Sequence, residues 1–258
     1  MHPISASPLA LLAIGPSAQA LSADLQRHLP ASVRILATAD GLRAQTMGRV
    51  GLLILVIHPA TLQDITALTS LADECGQDGF GVPTLCIRAR TTGDAERLFE
   101  HFGAWHLLRP HIDATVQAPN ATPEQLSTWL AQAVGVMAQS VGDEAQIGLE
   151  IEDITNLLRG SGTALWLSAQ ASGPDRATEV VQQLGRQLEL CATPPEQLHR
   201  AIVWVQGSTA LLKLRETRTV VKGLQERMAP QARMLFSSPY DESLGEVMRV
   251  WVLLPKCA

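Results

Sequence analysis

The chain has 258 residues, of which 46% are hydrophobic, 17% charged and 4% aromatic, with a formal net charge of −5. A disordered segment would hold more charge and fewer aliphatic residues, and a nucleic-acid module would be basic. A membrane span would need about 20 consecutive apolar residues, whereas the longest apolar run is the strand-length GLLILVI at 51–57. Residues 1–141 carry 8 basic and 11 acidic groups and residues 142–258 carry 12 and 14, so neither half is an electrostatic arm. The length suits one large domain or two of ordinary size. Cys75, Cys86, Cys191 and Cys257 are scattered and form no CxxC pair, which reads as four free thiols in a reducing cytoplasm. The first twenty residues lack a positive n-region, and Pro3, Pro8 and Pro16 interrupt them. They read as leading into a first strand rather than as a signal peptide.

In chain order, residues 8–14 (PLALLAI) predict a buried strand, Gly15-Pro16 a turn, and 18–28 a helix. Residues 33–37 and 51–57 predict two more strands. Residues 62–75 place Leu62, Ile65, Leu68 and Ala72 on one helical stripe. A strand at 82–87, a helix at 94–102 and a strand at 112–117 follow. Residues 122–139 predict a long helix with Thr122 as N-cap, Pro123 at its first position and Glu124 in its first turn. Continuous apolar strands separated by helices indicate a parallel sheet covered on both faces. The rhythm then changes. A short helix at 153–158, an extended run at 162–171 and a helix at 175–190 precede a strand at 201–206. A helix within 211–228 and strands at 232–236 and 247–254 complete a smaller mixed sheet packed on helices.

From residue 147 onward a family pattern is recognisable. IGLEIED at 147–153, then Gly162-Thr163-Ala164 in a strand, then Gly173-Pro174-Asp175-Arg176-Ala177 opening a helix, resemble the second domain of the bacterial cell-division protein FtsZ. AIVWVQGS at 201–208, residues 211–214 with Glu216, residues 232–237, Asp241-Glu242 and Arg249-Val250 continue in the family's order. The first half aligns more loosely. Arg97, Phe99, Gly103 and Leu107 fall where the family has a helix and its following strand. Asp113 to Pro119-Asn120 resembles the family's VDs-IpN segment, with Asn120 at a guanine-side position, and 51–57 resembles the strand before the glycine-rich signature of the tubulin superfamily. The resemblance implies an α/β fold: a Rossmann-like parallel-sheet domain over 1–121, a long central helix and connection over 122–146, and a smaller mixed-sheet α+β domain over 147–258.

The departures from that family matter most. Its members grip GTP phosphates with glycine-rich segments, because backbone N–H groups must approach the oxygens closely. Here the first segment, Ile14-Gly15-Pro16-Ser17-Ala18-Gln19, has one glycine, and Pro16 removes an amide donor. The second, His58-Pro59-Ala60-Thr61-Leu62-Gln63-Asp64, has none, and Asp64 adds negative charge. Only about a dozen residues separate Ala37 from Gly51, so intervening phosphate loops are shortened. Each lost amide–anion contact is worth about 1.5–3 kcal/mol, against about 8 kcal/mol for micromolar binding. The resemblance leaves Gly15, Gln19, His58 and Asn120 as a vestigial nucleotide pocket, Asn120 reading equally as a turn residue after Pro119. Glu150 and Asp153 correspond to the family's water-polarising loop acids, with Gly148 where an asparagine precedes them. The same acids, with Glu152, equally suit a helix N-terminus, where the dipole favours negative charge.

Other constellations carry less. His101, His106 and His111 recur every five residues, a spacing that does not converge on a metal, and no metal site is expected. No Gly-x-Ser-x-Gly elbow is present, and Gly160-Ser161-Gly162 reads as a turn. Trp105, Trp129, Trp166, Trp204 and Trp251 read as core bulk in a chain poor in other aromatics, with Trp166 and Trp251 the two to check for exposure. The expectation is a pseudo-GTPase: an FtsZ-like interaction protein that needs no cofactor and partners itself or an FtsZ-family protein, capping filaments or assembling without nucleotide. Nucleic acid and membrane are not expected partners, nor is a C-terminal adaptor-binding tail expected, since 258 follows the last strand closely. The alternatives are an unconventional GTP-binding and hydrolysing homologue, or a small-molecule-binding scaffold on the same fold.

Overall fold

A computed structural model describes residues 9–23, 25, 28–36, 50–76, 79–89, 99, 103–141, 145–191 and 194–256. The chain divides into two compact units, Met1–Gly135 and Val136–Ala258. The expected helix at 94–102, the residues between Ala37 and Val50, and Arg97, His101 and Cys257 lie outside the described residues, apart from Phe99, which is buried.

The first unit is built on a parallel sheet. Strands β1 (Leu9–Ile14), β2 (Val33–Leu36), β3 (Leu52–Ile57), β4 (Thr84–Arg88) and β5 (Ala114–Gln117) lie in the order β2-β1-β3-β4-β5. Every pairing is parallel. β1 and β3 are buried at every position, which is why both read as unbroken aliphatic runs rather than alternating ones. Helix α1 (Pro16–Ala23) starts directly after β1, and α2 (Leu62–Cys75) starts four residues after β3. On one face Ala10, Leu12, Ile14, Leu53, Leu55 and Ile57 pack against Leu68, Leu71 and Ala72 of α2.

One expectation in this unit needs correction. α1 begins at Pro16, two residues earlier than expected, because proline suits the first helical position. A short helix, α3 (Ala104–Leu108), holds Leu107, which the family likeness set in the stretch of a helix and its following strand. It follows Gly103, whose φ of 74° turns the chain, and Leu107 points to solvent at 55% exposure.

Helix α4 (Pro123–Val141) begins in the first unit and ends in the second. Thr122 caps it. The Gln125 N–H donates to Thr122 Oγ1 at 3.4 Å, and the Thr122 N–H donates to Gln125 Oε1 at 3.0 Å, a reciprocal capping box.

The second unit adds α5 (Ile151–Leu158), β6 (Gly162–Ala171), α6 (Arg176–Leu190), β7 (Arg200–Gln206), α7 (Leu214–Gln225), β8 (Arg233–Ser237) and β9 (Met248–Lys256). Its strands run in the order β6-β9-β7-β8. β9 is antiparallel to both β6 and β7, and β8 is parallel to β7, giving the mixed sheet expected. One face packs Val180, Leu184 and Leu188 of α6 and Val220 and Leu224 of α7 against Val203, Val205, Val250 and Val252. The two helices approach closely at Gly223, where an added Cβ would come within 2.7 Å of Val181 Cγ1. Trp166 stacks on Trp204 with ring centroids 5.8 Å apart and meets Trp251 edge-on at 6.5 Å. All three are buried, as core bulk should be.

Candidate functional site

In an open parallel sheet, ligands bind beyond the carboxyl ends of the strands, where the strand order reverses. In the first unit β1 is followed by a strand on one side and β3 lies on the other. The reversal therefore falls between the ends of β1 and β3. Ile14 and Ile57 are partners in register, so Gly15 and His58 leave the sheet side by side. Two turns meet here: Gly15–Ser17, leading into α1, and His58–Thr61, leading into α2.

What fills this crevice is the Asp64 carboxylate. Thr61 is the N-cap of α2, and Asp64 is its third residue. The Asp64 N–H donates to Thr61 Oγ1 at 3.3 Å, and Asp64 Oδ2 accepts from the Thr61 N–H and hydroxyl, both at 2.8 Å. The same carboxylate reaches across to α1. Ser17 N–H donates to Oδ1 at 2.9 Å, and the Ser17 hydroxyl to Oδ2 at 2.7 Å. Asp64 has no exposed surface. Burial pushes its carboxyl up, but the donors from Ser17 and Thr61 outweigh that and hold it below the ordinary carboxylate range. Two helix N-termini also face it, and their dipoles favour an anion.

The fit requires Gly15. Its φ is 84°, and a Cβ there would lie 2.6 Å from Asp64 Oδ1 and 2.9 Å from Asp64 Cα. The one glycine left in this turn thus makes room for an internal carboxylate. The α1 amide that would face an external anion is already satisfied by an internal one. A phosphate brought to the same place would stand against a buried negative charge.

The predicted pocket residues are only partly gathered. Gly15 and His58 lie together at the crevice. Gln19 is exposed one turn into α1, its N–H bonded to Gly15 O at 2.9 Å. Asn120 is exposed in a bend after β5, three strands along the order from β1, and not at the crevice. Between them the Arg88 guanidinium, at the end of β4, lies 4.8 Å over the Phe99 ring and 5.7 Å from that of Trp105. Gln117 Nε2 donates to Arg88 O at 2.7 Å. Among the described residues no group of three His, Cys, Asp or Glu side chains could hold a metal, and no helix is long and apolar enough to cross a membrane.

In the second unit the acidic loop is firmly held. Ile147 O accepts from the Ser238 N–H at 3.0 Å and the Ser237 hydroxyl at 2.6 Å, and Leu149 N–H donates to Ser140 O at 2.8 Å. Glu150 is the N-cap residue of α5, and Glu152 and Asp153 stand in its first turn. Asp153 meets Arg233 at 3.8 Å on the surface. An added Cβ on Gly148 would touch nothing closer than 3.6 Å, so its backbone makes no demand for glycine.

Sequence reasoning missed the work of two residues. In sequence Asp64 reads only as a repulsive charge, although Thr61-x-x-Asp64 is a visible capping pattern. Arg176, which in sequence belongs only to the Gly173–Ala177 turn, is a buried structural hub. Its Nε and Nη2 donate to Glu216 at 2.9 and 3.1 Å, Nη1 to Glu246 O at 2.7 Å and Nη2 to Leu211 O at 2.7 Å.

No family model matches the chain. It is 22% identical over 125 residues to cell division protein FtsZ 1 of Thermococcus kodakarensis, covering 48% of this chain and 33% of that protein. It is 25% identical over 126 residues to FtsZ of Mycoplasmopsis pulmonis, covering 49% and 32%. The matches thus span about a third of the length of these relatives. Among solved structures, an empty FtsZ dimer from M. jannaschii superposes with a TM-score of 0.73 at 14% identity, covering 95% of this chain and 87% of that one. CetZ1 of Haloferax volcanii, as a GDP-bound monomer, gives 0.68 at 14%, covering 97% and 94%. TubZ of Bacillus thuringiensis, in GDP-form protofilaments, gives 0.67 at 9%, covering 98% and 87%. The chain therefore has the fold shared by FtsZ, CetZ and TubZ.

Proposed function

We propose that this chain is a non-catalytic, FtsZ-like cytoskeletal subunit of the cytoplasm that works by protein contacts and uses no nucleotide. The observation that carries this reading is the Asp64 carboxylate seated at the switch point, bonded to Ser17 and packed on Gly15. GTP at this end of the sheet would have to displace a buried anion and break its four hydrogen bonds, each about 1.5–3 kcal/mol for a charged group. Several of the structures sharing this fold are assemblies, among them TubZ protofilaments and a protofilament of CetZ2 from Haloferax volcanii. For this chain that supports self-association, or docking of the acidic loop around Glu150 and Asp153 onto an FtsZ filament as a cap.

The test is direct. Purified protein is denatured and the supernatant assayed for guanine nucleotide, then fresh protein is titrated with labelled GTP and its assembly followed by light scattering. The expected result is no released nucleotide, no micromolar affinity, and assembly indifferent to GTP. Bound nucleotide would overturn the reading and return Glu150 and Asp153 to a hydrolytic role.

A further inference from the structure

The solvent face of α7 and the turn before it carry a patch that is both basic and apolar. At 3.6 residues per turn, Leu214, Arg218, Lys222 and Arg215 fall within about 100° of arc, and all four are exposed. The buried Thr217, Val220 and Leu224 lie on the opposite side of the helix. From Leu214 to Lys222 the row runs about 12 Å along the axis. Leu211 and Lys213, also exposed, extend it into the turn after β7. Leu211 and Leu214, 38% and 42% exposed, are thus two large apolar side chains left in solvent at one end of a cationic row.

The acids nearby leave this charge largely uncancelled. Among the described residues no ion pair takes up Lys213, Arg215, Arg218 or Lys222. Glu216 is turned inward onto Arg176 at 2.9 Å, and Arg215 adds only a lesser attraction to it. Glu242 accepts from the Thr209 N–H at 2.9 Å beside the turn, and Glu226 is an exposed acid one turn beyond Lys222. The patch keeps an excess of positive charge in a chain of net charge −5. Whole-chain charge gives no reason to expect a membrane partner, but the charge on this one face does. An anionic bilayer repels most of such a molecule and attracts this side, which orients the approach. The leucines then decide between anions. The phosphates of a nucleic acid are held by cations and hydrogen-bond donors and give exposed leucines nothing to enter. The boundary of a bilayer does take apolar side chains, while neighbouring lysines and arginines stay among the headgroups.

We propose that this face docks reversibly on an anionic lipid bilayer, with Leu211 and Leu214 entering the acyl boundary and Lys213, Arg215, Arg218 and Lys222 lying among the headgroup phosphates. Helix α7 keeps its place in the fold, because Val220 and Leu224 on its other side belong to the core. Only side chains enter the bilayer, and two leucines with four cations make a weak, reversible site. The inference makes no use of the nucleotide reading above, and neither depends on the other.

The full chain is sedimented with vesicles of equal parts phosphatidylglycerol and phosphatidylcholine, and with vesicles of phosphatidylcholine alone, at low and high salt. One variant carries Arg215→Gln, Arg218→Gln and Lys222→Gln, a second Leu211→Ser and Leu214→Ser, and a third Glu226→Gln. Circular dichroism and thermal melts check the fold, and Arg218→Gln with Lys222→Gln alone spares the attraction of Arg215 for Glu216. The wild type is expected to bind the anionic vesicles, to weaken in salt and to ignore the neutral ones. Each cation removed costs about fivefold in affinity. The leucine variant loses about tenfold and keeps the salt dependence of the wild type, while Glu226→Gln binds more tightly. Failure of the wild type to bind anionic vesicles at low salt overturns the proposal. So does equal binding by the wild type and the glutamine variants, or by the wild type and the leucine variant. Binding to a DNA duplex or to polyglutamate as tight as to the vesicles also overturns it, in favour of a nucleic acid or an acidic protein.

Discussion

Ser17 and Asp64, 47 positions apart, meet through two hydrogen bonds to one buried carboxylate, 2.9 Å from the amide and 2.7 Å from the hydroxyl. This contact joins the first turn of α1 to the first turn of α2 and closes the end of the sheet where the fold offers a ligand site. Because Thr61 supplies two further donors, the carboxylate serves both helices at once.

Removing the carboxylate should therefore loosen both turns. Asp64→Ala loses four hydrogen bonds and is expected to cost about 2–4 kcal/mol in chemical denaturation. Asp64→Asn keeps an acceptor for the Ser17 amide but sets an NH2 against the Thr61 N–H, so it should cost about 1–3 kcal/mol. The folded carboxyl titrates below its unfolded value of about 3.9. Its contribution is thus fully present above that pH and is lost as pH falls through the lower folded value. The gap between wild type and Asp64→Asn should be flat from about pH 5 to 8 and should narrow in acid. A gap that widened in acid would contradict the assignment.

A second expectation concerns what an empty crevice would accept. With Asp64→Ala, the Ser17 and Thr61 amides lose their anion while Gly15 still leaves space beside them. Inorganic phosphate should then raise the melting temperature of Asp64→Ala and leave the wild type unmoved, the increment growing with concentration as ligand linkage requires. Equal responses from the two proteins would show that the carboxylate does not stand in an anion's place.

Much of the fold is legible in the residues, and the limits have physical causes. β1 and β3 announce themselves because parallel strands buried on both faces are unbroken aliphatic runs, and α2 is readable because Ile65, Leu68 and Ala72 face the core, although Leu62, expected on the same stripe, is 64% exposed at the first helical position. α3 is hard to see because five residues give no helical period and its turn depends on a positive φ at Gly103. At the site, Thr61 and Asp64 are three apart and their capping box is a local pattern. The bond from Ser17 is not local, and only the β1–β3 pairing brings it there. That is why Asp64 reads in sequence as a charge that repels a ligand and in the structure as the group that replaces one. Arg176 is similar: its partners Leu211, Glu216 and Glu246 are far along the chain.

Arg176 is expected to be the costliest surface-to-core link in the second unit. Arg176→Ala strands the Glu216 carboxylate, 14% exposed, and frees two carbonyls, so a loss of about 3–5 kcal/mol is expected by denaturant unfolding. Arg176→Lys should recover little of it, because one ammonium cannot reproduce a planar fork that serves Glu216, Glu246 O and Leu211 O together. Full recovery by lysine would mean that charge alone, and not the fork, holds α6 to the start of α7.

The tryptophan cluster offers an optical test of a buried polar chain. Trp251 Nε1 donates to Gln206 Oε1 at 3.0 Å, and Gln206 Nε2 donates to Gln139 Oε1 at 3.0 Å, linking β9, β7 and α4 within the second unit. Gln206→Leu takes the acceptor from a buried indole and should cost about 1–3 kcal/mol. Adding Trp251→Phe removes the donor as well, so the double variant should lose less than the two single losses combined, with a coupling of about 1 kcal/mol. Trp251 also lies edge-on to Trp166, so Gln206→Leu should shift the native fluorescence emission while the Trp251→Phe background shows a smaller shift. Strict additivity, with no change in emission, would mean that the indole and the amide are neighbours without being partners.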